Sequence, residues 1–157
     1  MRLKIKYIDK EITPMKKFDN GDLIDLRVSK VFINGEEYVN NTNKGEVNYY
    51  AGDIVFVKLG FAMQMPKGYK ANVYPRSSTF KNYGLILTNS VGQIDNAYCG
   101  NDDEWCGMFY CLRDGKIGYN DRVLQMEVVK AMESVEINVV EELESHNRGG
   151  YGSTGKQ

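Results

Sequence analysis

Residues 54–65 read IVFVKLGFAMQM, and the turn signal MPKGY (65–69) closes the run. The pattern is that of extended chain, one long strand or two short ones. Its surroundings repeat the theme. LKIKYI (3–8) alternates apolar and charged residues, and IDLRV (24–28) is a short strand candidate. ANVYP (71–75), LILTN (85–89), MFYCL (108–112), RVLQMEVV (122–129) and VEINVV (135–140) follow at roughly even spacing, with Gly, Asn or Asp between them. Many short strands with turn signals specify an all-β barrel or sandwich. A helical turn or two is expected near STFKNYG (78–84). The Asn-rich stretch FINGEEYVNNTNKGEVNYYAGD (32–53) reads as a hairpin and loop leading into the next strand.

The chain has 157 residues, 42% apolar and 26% charged, with a net charge of −1. That describes one globular domain able to bury a core without staples. No global basic field attracts nucleic acid or anionic lipid, so any anion site must be local. The N-terminus MRLKIKYIDK lacks the apolar region of a signal peptide, and no apolar run approaches a membrane span. Cys99, Cys106 and Cys111 form no CxxC pair, and His146 is the single histidine. Reduced thiols in the cytoplasm and no zinc site are the expectation.

The chain ends in RGGYGSTGKQ (148–157). Gly150, Gly155 and Lys156 imitate a phosphate-binding P-loop, but that motif needs a helix after it, and with the sequence ending at Gln157 none is expected. What remains is a polar, glycine-rich arm, ordered by a ligand or an exposed tail. Arg148 offers a fork suited to phosphate oxygens, Ser153 and Thr154 offer hydroxyls, and Tyr151 offers a flat ring.

Three internal segments join it. PRSSTFKN (75–82) sets Arg76, Ser77, Ser78 and Lys81 where a strand enters a helical turn, either a phosphate cradle or an ordinary capped turn. TNSVGQIDNAYCG (88–100) resembles a hairpin that points Asp95 and Tyr98 into one cavity; separately, each is as readily a turn residue and a packing ring. DRVLQMEV (121–128) sets Asp121, Arg122 and Gln125 on a half-exposed strand with a structural ion pair.

In this order, PRSSTFKN, NSVGQIDNAYCG, DRVLQ and RGGYGSTG resemble the motifs of the trimeric dUTPases, from about Asp19 to Gly155. GDLIDLRV (21–28) resembles the first motif, with Asp25 as its acid and Asp22 a competing choice. The resemblance implies hydrolysis of dUTP to dUMP and pyrophosphate. It also implies an all-β distorted jelly-roll barrel that assembles as a homotrimer, each active site drawing on three subunits. A body over 1–144 would carry a flexible C-terminal lid over 145–157.

By the same resemblance, Asp95 is the catalytic carboxylate that orients and deprotonates the attacking water. Tyr98 lies under the deoxyribose and excludes a 2′-hydroxyl. Asn89 and the backbone of Gln93 and Ile94 read the uracil edge. Arg76, Ser77, Ser78 and Gln125 hold phosphates. Arg148, Tyr151, Gly152, Ser153 and Thr154 close over the nucleotide. Asp25 meets Mg²⁺ through water, the triphosphate supplying the inner ligands.

Two positions depart from the family pattern: Tyr151 stands where Phe is usual, and Ser78 where glycine is usual. With the insert NDDEWCGMFYCLRD (101–114) they resemble the variant enzymes of phages and prophages of Gram-positive bacteria. Trp105 in that insert is read as a packing or interface residue before a cover for the base. Two alternatives stay open. A dCTP deaminase shares the fold but wants a catalytic Glu where IDNAYCG has none. A dUTP-sensing module would use the same pocket to regulate a protein partner, with 34–50 as a candidate surface or an ordinary loop.

Overall fold

The computed structural model describes residues 1–147, 149 and 150. In chain order the strands are β1 (Lys4–Tyr7), β2 (Ile24–Arg27), β3 (Lys30–Ile33), β4 (Glu36–Val39), β5 (Glu46–Tyr49), β6 (Ile54–Lys58), β7 (Phe61–Gln64) and β8 (Tyr69–Pro75). Then come the helix α1 (Thr79–Tyr83) and the strands β9 (Leu85–Leu87), β10 (Gly92–Ile94), β11 (Cys106–Cys111), β12 (Gly115–Gly118) and β13 (Arg122–Lys130). Two larger antiparallel sheets, ordered β10-β8-β13-β2 and β4-β3-β6-β11-β9, are joined by the pairs β1-β7 and β12-β5. Among the described residues none of these sheets closes on itself, so the expected barrel is a set of open sheets around a shared core. Inward residues alternate along the strands, as in β11, where Gly107, Phe109 and Cys111 are buried and Met108 and Tyr110 exposed.

The run 54–65 is two strands, broken at Gly60. That residue has φ +72°, and a Cβ there would stand 2.9 Å from both the Asp9 and Ser29 Cβ atoms. Only glycine meets both demands. The corner sits on a buried polar knot. Ser29 Oγ donates to Asp9 Oδ2 at 2.6 Å, the Tyr119 hydroxyl to the same oxygen at 2.9 Å, and the Glu11 amide to Asp9 Oδ1 at 2.9 Å. Burial alone would raise the Asp9 carboxyl, but these bonds outweigh it and hold it below its ordinary value.

Of the hairpin and loop expected over 32–53, the hairpin is formed by β3 and β4, turning on Asn34 (φ 49°) and Gly35 (φ 93°), the residue pair that a two-residue hairpin loop prefers, and the expected loop also contains β5. Trp105 is buried and tilts against Phe61 with ring centroids 5.1 Å apart, as the packing reading required. One strand expectation fails. VEINVV joins no ladder, and residues 131–140 carry no regular structure. Ile137 and Val139 stay 84% and 90% exposed. Alternation states what a segment could bury, and a strand still needs a partner edge.

Candidate active site

β2, the end of β8 and β13 lie side by side, and they bring Asp25, Arg76 and Gln125 together. Asp25 is paired with Gln125, and Gln125 with Tyr74. Asp25 Oδ1 lies 2.7 Å from Arg76 Nε, and Asp25 Oδ2 lies 3.0 Å from Arg122 Nη1. Arg76 also donates from Nη1 to the Arg122 carbonyl at 3.3 Å, and Gln125 Nε2 to the Pro75 carbonyl at 3.1 Å. The ion pair expected on this strand therefore joins Arg122 to Asp25. Asp121 instead accepts the Gly118 amide at 2.9 Å, and burial raises its carboxyl. Asp22 is exposed and lines a different hollow, with Lys17, Ile24 and Met126.

α1 begins where β8 ends, as expected. Thr79 is fully buried; its hydroxyl donates to the Val123 carbonyl at 2.7 Å and accepts the Arg76 amide at 3.1 Å. These two bonds fix the turn that presents Ser77 and Ser78. Ser78 is the N-cap residue and makes no side-chain cap bond, so its hydroxyl is not spent on the helix. Its φ of −88° suits any residue, which is why serine can replace the usual glycine.

The second group of expected site residues lies elsewhere. β10 is an edge strand, paired through Gly92, Gln93 and Ile94 to Val73, Asn72 and Ala71 of β8. An edge strand presents unpaired backbone groups along its free side, as reading a base edge requires. Asn89 is exposed in the turn before it, where Ser90 has φ 59°. Lys70 Nζ donates to Gln93 Oε1 at 3.2 Å. Asp95 is exposed just past β10, its carbonyl accepting the Tyr98 amide at 3.1 Å. The Tyr98 hydroxyl donates to the Glu104 carbonyl at 3.1 Å. Burial raises the Tyr98 phenol, with smaller contributions from Cys106, Asp103 and Glu104, so it remains a proton donor at neutral pH.

Within one chain the Asp95 end of this second group lies away from Arg76, although Ser90, near its start, lines one hollow with Pro75 and Arg76. Ile94 pairs with Ala71, and Arg76 follows five residues on, roughly 16 Å away at the rise of an extended strand. Asp95 lies beyond Ile94 in the opposite direction. Arg148, Tyr151, Gly152, Ser153 and Thr154 fall outside the described residues.

Three supports go unmarked in the sequence reading: Asn96, Glu104 and Thr79. Asn96 Nδ2 donates to the carbonyls of Met65, Pro66 and Tyr69, at 3.3, 2.9 and 3.1 Å, and so ties the Asp95 loop to the β7–β8 turn. Glu104 receives Tyr98 and is anchored to Gly60. Asn96 and Glu104 have no local signal, because each acts on a segment distant in sequence. Thr79 had one, a hydroxyl residue at a helix start, and was passed over for its serine neighbours.

No protein-family profile matches the chain. A SPbeta prophage-derived deoxyuridine 5′-triphosphate nucleotidohydrolase of Bacillus subtilis is 43% identical over 155 residues, covering 99% of each chain. Among solved structures, a mutant dUTPase of Staphylococcus bacteriophage 80alpha with dUpNHpp superposes with TM-score 0.72 at 18% identity, covering 98% of each chain. A mutant dUTPase from phage phi11 of S. aureus, described with a structural Mg(II) ion, gives TM-score 0.70 at 14% identity, covering 92% of this chain and all of its own. These structural neighbours share the all-β fold, and the prophage relative carries the likeness through the whole sequence: the chain belongs to the deoxyuridine 5′-triphosphate nucleotidohydrolase family.

Proposed function

We propose that the chain hydrolyses dUTP to dUMP and pyrophosphate with Mg²⁺, in homotrimers whose active sites combine residues from different copies. The observation that carries this reading is the separation just described. A phosphate-holding cluster (Asp25, Arg76, Gln125) and the far end of the base-and-sugar hairpin, which carries Asp95, stand at different places on one sheet. A second copy that brings its hairpin to the cluster completes the site. The exposed apolar residues of 131–143, Met132, Val135, Ile137, Val139 and Leu143 among them, support burial between copies.

In the assembled site the free edge of β10 reads uracil, and Tyr98 lies beneath the deoxyribose. Arg76, Ser77, Ser78 and Gln125 hold the triphosphate. Asp95 holds the attacking water at the α-phosphorus and accepts its proton. Arg148, Tyr151, Gly152, Ser153 and Thr154 cover the nucleotide and exclude bulk water.

The residues fit a metal carried by the substrate. Among the described residues no three His, Cys, Asp or Glu side chains form a metal cluster. Both Asp25 oxygens already accept guanidinium groups, yet each keeps a lone pair for a water on the ion. When bound with the triphosphate, Mg²⁺ neutralises phosphate charge. The reaction takes place in the cytoplasm, that of the host where a phage encodes it, removing a precursor of uracil in DNA and supplying dUMP for dTMP synthesis.

Mixed trimers test the sharing of sites. Asp95→Asn and Arg76→Ala chains, each inactive alone, are co-refolded in equal amounts. Sites shared between copies regain both residues in about a quarter of cases, and activity returns in that proportion. No recovery in mixed trimers contradicts the shared site.

A further inference from the structure

Tyr98 is 40% exposed, so packing alone does not hold its ring. Its hydroxyl donates to the Glu104 carbonyl at 3.1 Å, and that carbonyl belongs to a well-fixed segment. Glu104 Oε1 accepts the Gly60 amide at 3.0 Å, and Oε2 lies 3.3 Å from Lys58 Nζ with 12% of the side chain exposed. The next residue, Trp105, is buried against Phe61. Its amide donates to the Phe61 carbonyl at 3.0 Å, and its carbonyl accepts the Leu59 amide at 2.9 Å. Gly60 is held in turn, its carbonyl accepting the Ile8 and Asp9 amides at 2.8 and 3.0 Å. The acceptor of the Tyr98 hydrogen bond is thus set by the β6–β7 corner, not by the loop that carries Tyr98.

Rejecting a nucleotide that merely adds one hydroxyl requires a wall that does not move. A ring free to swing by an ångström would admit the larger sugar. We propose that Glu104 is a specificity-determining positioning residue: by fixing the acceptor of the Tyr98 hydroxyl it keeps the ring under the deoxyribose and the site closed to ribonucleotides. This deepens the reading of Tyr98 given above and stands only if that reading does. It also gives the insert 101–114 a task, since Glu104 and its Trp105 anchor both lie within it.

The test compares kcat/KM for dUTP and UTP in full-length protein with Mg²⁺, alongside melting curves. Tyr98→Phe removes the donor, and Glu104→Ala loosens the acceptor. Each is expected to lower the preference for dUTP over UTP by about three- to tenfold, the worth of one neutral hydrogen bond. The double variant should lower it no further. Glu104→Gln, which keeps an acceptor for the Gly60 amide, should retain most of the preference. Should Glu104→Ala fail to fold, Glu104→Asp, which draws the carboxylate back from the Gly60 amide and Lys58, takes its place with the same expected loss. An unchanged preference in Tyr98→Phe and Glu104→Ala, with Tyr98→Ala abolishing it, overturns the role of Glu104. An unchanged preference in Tyr98→Ala as well overturns the placement of Tyr98 and takes Glu104 with it.

Discussion

Asp25 and Arg76, 51 positions apart in sequence, meet at 2.7 Å, and Arg122 closes on the other carboxylate oxygen at 3.0 Å. One acid between two guanidinium groups aims both of them. On the proposed reading its role is orientation of Arg76 toward phosphate, with any metal contact coming through water.

Asp25→Asn keeps an acceptor but loses the charge that aligns Arg76. The pair is partly solvated, so the stability loss should stay below about 2 kcal/mol. Misplacement of a phosphate ligand is costlier, and kcat/KM for dUTP should fall about 10- to 100-fold. Asp22→Asn should change neither. Steady-state kinetics beside thermal melts separate the two, and equal effects at both positions would count against Asp25.

Thr79→Val preserves shape and removes the hydroxyl that joins Arg76 to Val123. Two backbone groups lose their partner, at a cost of about 1–3 kcal/mol. The same turn presents Ser77 and Ser78, so KM for dUTP should rise while affinity for deoxyuridine holds. Calorimetric titration with both ligands checks this, and equal losses would show a general fold defect.

Gly60→Ala combines a left-handed φ with contacts at 2.9 Å to two neighbouring Cβ atoms. The expected loss is about 2–4 kcal/mol, read by urea denaturation. A near-neutral result would mean that the corner relaxes, and would weaken the anchoring of Glu104.

Asp9 gives a pH signature. Its carboxyl is held below the ordinary value in the folded state, so its contribution to stability is present above the unfolded pKa, about 3.9. That contribution is lost as pH falls through the folded pKa. Ser29→Ala removes one of the bonds that depress it and should cost about 1–3 kcal/mol near neutral pH. The penalty should shrink in acid below that window, and a penalty independent of pH would sever it from Asp9 ionisation.

Much of this was legible because strand alternation and turn residues are local. The period-two runs, the Asn34-Gly35 hairpin and the strand-to-helix step at 75–79 needed no knowledge of the rest of the chain. The break at Gly60 was not decided by its own stretch, because the closeness of Asp9 and Ser29, which restricts that corner to glycine, lies outside it. VEINVV misled for the converse reason: its alternation is real, and no edge within the described residues receives it. In the site, the phosphate and hairpin assignments rest on the family resemblance, whereas Asn96 and Glu104 act across distances that no spacing rule spans.

The central claim is tested most directly by pyrophosphate release with Mg²⁺ from dUTP, UTP, dTTP and dCTP, using full-length protein and a chain ending at Asn147. The expected result is turnover of dUTP alone, lost on truncation and lost in Asp95→Asn while that variant still binds dUTP. Silence of the full-length protein on every nucleotide, with dUTP still bound, would contradict the hydrolase and leave a nucleotide-sensing module in its place.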